Sequence, residues 1–199
     1  IVGEENYDIG HLFHNDFGNG NAFCIGCVGI DNQKGSAFSS HPFTDNNGGP
    51  YMTDFFDIDY VCHEVGHQMG AYHTLSAWDE GQGVNYEPGS GSTIMGYAGI
   101  CSPNVQNDSD AYFHAISIQE MWGFISILGG SSCPEETDTG NAPPIADAGP
   151  NYTIPKTTPF VLKGIATDPD TEDVLSHNWE QMDQQIGTMP PQNTSAFGP

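Results

Sequence analysis

Residues 57–74, reading DIDYVCHEVGHQMGAYHT, constrain what this chain can fold into more than any other stretch, because three histidines, a glutamate and a glycine stand at one fixed spacing. His63 and His67 are separated by about one helical turn, so on a helix they leave the same face and can grip one ion. Ile58, Val61, Cys62, Val65 and Met69 supply apolar positions around the turn, giving the helix a side to bury while the histidines face a cleft. Asp54 and Asp57 stand near its start, where carboxylates accept from free backbone N–H groups. Gly70 predicts the end of the helix: glycine adopts a left-handed conformation without the steric cost of a side chain, and the turn swings His73 back toward the other imidazoles. Three imidazoles leave the fourth position of a tetrahedral zinc ion open for water, and Glu64, beside a ligand and not itself one, is placed to act as general base. HExxH alone recurs by chance, whereas HExxHxxGxxH fixes five positions and predicts a catalytic zinc site with His63, His67 and His73 as ligands.

At these residues the sequence resembles the metzincin metallopeptidases, and a second motif extends the resemblance. Residues 89–101, GSGSTIMGYAGIC, look like a Met-turn, which in that family lays a methionine beneath the three histidines; here that residue is Met95. Tyr97 stands where astacins and serralysins hold a tyrosine that approaches the metal and stabilises the oxyanion; a buried core tyrosine is the equal alternative. The similarity to bacterial reprolysin-like, adamalysin-related proteins spans residues 5–133. It implies an α/β (α+β) metzincin-type catalytic domain with zinc helix, Met-turn and C-terminal helix, a Zn²⁺ cofactor, and a peptide or protein substrate. Thr74 follows the third histidine, where adamalysins carry aspartate and pappalysins threonine, so the subfamily stays open. Reprolysin-like domains place several strands and two helices before the zinc helix, whereas about sixty residues precede it here, which implies a fragment lacking the N-terminal part of the domain.

Charge narrows the partners. Against 26 aspartates and glutamates stand three lysines and no arginine, a net charge of −23. Such a surface excludes nucleic acid and anionic lipid as partners, suits salty surroundings, and makes structural Ca²⁺ a candidate second cofactor. No run approaches the roughly 18 apolar residues that a membrane helix requires, so no membrane insertion is expected. Five cysteines in so short a chain favour an oxidising compartment, and therefore secretion, with two disulfides and one thiol left over. The chain opens at Ile1 without a signal peptide, as a processed or excised chain would. Cys101 with Cys133 is the preferred pair, closing a loop of about thirty residues and restraining the unfolded chain by ~3 to 4 kcal/mol. Cys27 is the rival partner of Cys133, by resemblance to an adamalysin bond, and Cys24 with Cys62 is a candidate second pair.

In chain order, alternation around Tyr7, Ile9, Leu12 and Phe13 predicts a strand that breaks at a turn in DFGNGN. Residues 22–30, AFCIGCVGI, read as a second strand; in reprolysin-like proteins the corresponding segment is the sheet edge above the cleft, so Ala22, Phe23 and Cys24 are candidates for pairing with an extended substrate, against the alternative of an ordinary capped edge. Residues 31–50 read as a surface loop, and the stretch from His73 to the Met-turn as a loop walling the primed side of the cleft. Residues 109–128 read as a C-terminal helix stopped by Gly129 and Gly130. His114 falls inside it and is excluded from the metal site, as are His11, His14, His41 and His177, which lack ligand spacing. The catalytic domain is expected over 1–133, a Pro-rich acidic linker over 134–144, and over 145–199 a partial β-sandwich segment resembling Ig, polycystic-kidney-disease-like or cadherin-like domains. Asp168 and Asp170 are calcium candidates there, with a solvated turn as the alternative.

The activity implied is zinc-dependent endopeptidase hydrolysis, with Glu64 taking the proton of the attacking water and returning it to the leaving amine. The competing class is an adhesion or binding module with a vestigial metal site, against which the intact ligand and base set argues.

Overall fold

The computed structural model describes residues 2–44, 47–132, 135 and 137–184. The chain divides into one unit of Ile1–Pro134 with Glu180–Pro199 and a second of Glu135–Trp179, and each is described by itself.

The first unit is built on a three-stranded sheet and two helices. Strand β1, His11–His14, runs parallel to β3, Ala37–Ser40, and β2, Asn19–Asn21, runs antiparallel to β3 on its other side, so the order is β1-β3-β2. Two expectations are corrected here. The Gly- and Asn-rich stretch read as a turn bends over 16–18 but then forms the edge strand over Asn19–Asn21, and residues 22–30, read as a strand, form instead a compact bend. Phe23, Gly26 and Gly29 sit there at positive φ, and a Cys24–Cys27 disulfide closes the bend with Cα atoms 6.0 Å apart. Ala22, Phe23 and Cys24 therefore lie just past the edge strand, not in it. The bend is fastened to the zinc helix by backbone bonds from Gly26 to the His67 carbonyl and from Cys27 and Val28 to that of Gln68.

The central strand β3 lies inside the segment read as a surface loop. Ala37, Ser39 and Ser40 are buried, so this strand gains its place through small side chains that admit close packing, not through the apolar alternation by which strands are recognised. Ser39 Oγ meets His11 Nε2 at 2.9 Å, and His11 Nδ1 meets Gln68 Oε1 at 2.9 Å. His11 thus ties β1, β3 and the zinc helix together, a structural role consistent with its exclusion from the metal site.

The zinc helix begins as a π-helical segment, Phe56–Cys62, and continues as α1, His63–Gln68. Its N-cap is Phe55, which makes no side-chain capping bond. Asp59 accepts from the Ser109 backbone N–H at 2.7 Å. Gly70 ends the helix at φ 108°, where the Ala71 N–H reaches the Gly66 carbonyl. A Cβ at Gly70 would also come within 2.8 Å of the Phe124 Cβ, so two independent demands fix glycine at this position. Ile58, Cys62 and Met69 pack with Phe113 against a buried cluster of Ala71, Ile94, Met95 and Met121.

Helix α2, Ala115–Ile127, starts later than the sequence pattern suggests. His114 is its N-cap, with its ring accepting from the Ile116 N–H at 3.2 Å, and so precedes the helix. From α2, Glu120 accepts from the Tyr72 N–H at 3.1 Å. Burial pushes this carboxyl up to about 7, with the Tyr72 N–H pulling the other way. Because the folded state then holds its proton to higher pH than the unfolded chain, stability should fall as pH rises from the ordinary carboxyl range to about 7. Glu120→Gln keeps an acceptor for Tyr72 and removes the titration. Its thermal midpoint should match the parent at pH 4.5 and exceed it at pH 8; an offset equal at both would refute the assignment.

The disulfide found excludes the candidate Cys24–Cys62 pair and the alternative use of Cys27. Among the described residues Cys62 and Cys101 have no disulfide partner, and burial raises the pKa of both thiols. The preferred partner of Cys101, Cys133, lies outside the described residues.

In the second unit, β4, Ile145–Asp147, pairs antiparallel with β5, Ile165–Thr167. Among the described residues no helix is long and apolar enough to cross a membrane.

Candidate metal centre

One helix and the turn that ends it bring the histidines together. His63 and His67 leave one face of α1, and the turn at Gly70 carries His73 over them, so that His73 Nε2 lies 3.1 Å from His63 Nε2 and 2.9 Å from His67 Nε2. The opposite ring nitrogens decide the protonation. His63 Nδ1 donates to the Ile94 carbonyl at 2.7 Å, His67 Nδ1 to the Ala71 carbonyl at 2.7 Å, and His73 Nδ1 to Glu80 Oε2 at 2.8 Å. Each of these partners only accepts, so each ring carries its proton on Nδ1 and turns an Nε2 lone pair inward. Three lone pairs at such separations repel one another unless a cation sits among them. A tetrahedral zinc with bonds of about 2.0–2.1 Å sets its nitrogen ligands about 3.3–3.4 Å apart, close to the spacing here. The donor set therefore fits zinc.

Electrostatics favours the same state. Burial, together with the neighbouring imidazoles, holds His63 well below the usual histidine range, and burial with His73 brings His67 down to about 4. Neutral imidazoles are the form that ligates metal.

The site opens on a cleft of about 640 Å³ whose lining includes Gly18, Asn19, Gly20 and Asn21 together with Tyr60, Glu64 and Tyr97. Ala22, Phe23 and Cys24 also line it, beyond the end of β2. Glu64 is buried beside the triad, and burial pushes its carboxyl up to about 7 while the Ala22 N–H pulls it partly back. Gly20 makes room for this group: a Cβ there would fall 2.4 Å from Glu64 Oε1. A bound dication would counter the burial effect and favour the ionised carboxylate.

Met95 is fully buried. Its sulfur approaches Gly66 so closely that a Cβ at that position would lie 2.5 Å from Sδ, so glycine in mid-helix is what lets the turn seat. The backbone joins the same parts: Thr74 N–H donates to the Met95 carbonyl at 3.1 Å, and the Ile94 carbonyl holds His63. Tyr97 lines the cleft with its ring centre 4.4 Å from that of His73 and 5.8 Å from that of His63. Burial, followed by the charges of Glu80 and Glu64, pushes its phenol up to about 12, so it remains a hydrogen-bond donor at neutral pH.

Two carboxylates in the loop between His73 and the Met-turn escaped the sequence reading. Glu80 holds His73, as above. Glu87 is buried and accepts from Thr93 Oγ1 at 2.6 Å, from the backbone N–H groups of Ser92 and Thr93 at 2.9 and 3.0 Å, and from Thr74 Oγ1. It thereby clamps the residue after the third histidine to the approach of the Met-turn. The signal available in sequence was an acid preceding a Gly/Ser-rich run, EPGSGST, full of backbone and hydroxyl donors that need an acceptor once buried.

Outside this centre, Asp168, Asp170 and Asp173 bring carboxylate oxygens within 4.8 Å of one another. Asp168 accepts from the Asp170 N–H, as a turn residue does, and Asp170 accepts from the Ala142 N–H, 28 residues earlier in the chain.

Compared with known proteins, residues 1–121 match the family model described as Metallo-peptidase family M12B Reprolysin-like. No curated protein and no solved structure matches the chain.

Proposed function

Since the chain belongs to the reprolysin-like metallopeptidases of family M12B and is a zinc metalloendopeptidase, we propose that His63, His67 and His73 hold the zinc and that Glu64 is the general base. The observation that carries this reading is the convergence of three Nε2 lone pairs, each fixed by an acceptor on Nδ1, beside a buried carboxylate in the same cleft. When bound, zinc supplies a Lewis acid for the scissile carbonyl and acidifies water. Glu64 takes a proton from the attacking water on its carboxylate and passes it to the leaving amine. Tyr97, protonated at neutral pH, donates its O–H to the carbonyl oxygen as negative charge develops there. Met95 and Gly66 set the floor on which the three imidazoles rest.

The outer edge of β2, at Asn19–Asn21, is the strand to which an extended peptide adds, with the bend at Ala22, Phe23 and Cys24 bordering one end of the cleft. In chain organisation, we place the catalytic domain over 1–133, the linker over 134–144 and a partial β-sandwich from 145, in a secreted protein.

The test is stoichiometric. The purified chain should carry one zinc per molecule and digest casein or gelatin, and a strong chelator should abolish digestion, with zinc restoring it. His73→Ala should lower both zinc content and activity. Chelator-resistant digestion would defeat this reading.

A further inference from the structure

The three ligands are not supported alike. His63 and His67 donate to backbone carbonyls of Ile94 and Ala71, both nearly inaccessible to solvent, so their orientation is set by the packed core. His73 lies beyond the helix on a stretch without regular structure, and its Nδ1 is held by a side chain, Glu80. We propose that Glu80 is a positioning residue for the third ligand: its carboxylate fixes the His73 ring through Nδ1 and thereby sets how firmly the triad retains zinc. This inference rests on the zinc reading above.

The carboxylate is held ready for that role. Trp78 Nε1 donates to Glu80 Oε1 at 3.0 Å, which leaves Oε2 directed at His73. Beneath this turn the buried Asn85 amide donates to the carbonyls of Leu75 and Trp78 at 2.6 and 3.0 Å, anchoring the base of the loop that carries Glu80. Asp79 closes the tip by accepting from the Gly81 N–H at 2.7 Å. The effect on the metal is twofold. A carboxylate on Nδ1 selects the tautomer with a free Nε2 and keeps the ring from turning, and its charge raises the donor strength of Nε2 toward a dication. Glu80 also lines the cleft, so the wall that meets substrate and the support of the third ligand are one side chain. With its side chain about 31% exposed, Glu80 contributes little to the core, which separates its metal effect from folding.

Zinc dissociation constants, measured by competition with a chelator of known affinity, test this on the full chain and on Glu80→Ala and Glu80→Gln, alongside thermal midpoints of the zinc-free proteins. Glu80→Ala should bind zinc about 10 to 100-fold more weakly. Glu80→Gln, whose amide oxygen still accepts from Nδ1, should lose less. The zinc-free midpoints of all three should coincide, and cobalt(II) in Glu80→Ala should give a visible spectrum shifted from that of the parent. A Glu80→Ala constant within twofold of the parent overturns the proposal, as does a loss of affinity accompanied by a matching fall in the zinc-free midpoint. A parent chain that takes up no zinc overturns the underlying reading instead, and the role of Glu80 with it.

Discussion

Glu64→Ala is expected to bind zinc at the parent stoichiometry while peptidase turnover falls by roughly 10² to 10⁴-fold, the usual contribution of a positioned general acid–base group. The separation follows from where the carboxylate lies. It is not among the three groups whose lone pairs converge; it sits between the triad and Gly20, with the Ala22 N–H as partner. Removing it deletes a proton carrier and leaves the ligands with their Nδ1 acceptors intact. It also removes a buried ionisable group whose charged form burial disfavours, so no loss of fold is expected to confuse the result. Zinc content by atomic spectroscopy and steady-state hydrolysis of a peptide substrate, on one preparation, decide it. Full turnover in Glu64→Ala would remove the general-base role, and loss of zinc would make Glu64 a ligand.

Glu87→Ala should be the most damaging single change to stability, at about 3 kcal/mol or more. The Glu87 carboxylate accepts from two backbone N–H groups and from the hydroxyls of Thr74 and Thr93, with a longer contact from Ser92 Oγ, and Thr74 and Thr93 are buried. Alanine would leave these donors without an acceptor in a place water does not reach, and each orphaned group costs on the order of 1–3 kcal/mol. Glu87→Gln should cost much less, since its oxygen can accept from the two N–H groups while its amide donates to hydroxyls that are free to turn. Denaturant unfolding of the two variants against the parent gives the comparison. Equal losses would mean that charge, not acceptor count, is what Glu87 supplies. Because Glu87 fastens Thr74 to the Met-turn, weaker zinc retention should accompany the unfolding shift in the alanine variant.

The role of Glu87 also accounts for Thr74. With a threonine after His73, the fastening is divided: Thr74 donates a hydroxyl, and the carboxylate comes from a residue thirteen positions on.

What the sequence alone determined was the chemistry whose geometry is local. Two histidines one turn apart on a helix, a glutamate beside the first, a glycine at the one place where the chain must take positive φ, and a third histidine after it all follow from backbone periodicity and sterics within a dozen residues. The Met-turn is a different case: Met95 is singled out by the resemblance to metzincins and not by spacing, and the structure buries it with its sulfur against Gly66. Tertiary structure decided whatever depended on a partner distant in the chain. Strand β3 is central although its sequence is polar, because Ser39 and Ser40 are buried against His11 and its neighbours, and period-2 hydrophobicity has nothing to register in such a strand. The edge strand fell at Asn19–Asn21 and not at the more apolar residues 22–30, because positive φ at Phe23, Gly26 and Gly29 and the Cys24–Cys27 bond bend that segment out of the sheet. Glu80 and Glu87 looked like two more acids in a chain with 26. Only the fold shows that one meets an imidazole nitrogen and the other a nest of buried donors, because a carboxylate's role is set by the donors that surround it and those come from elsewhere in the chain.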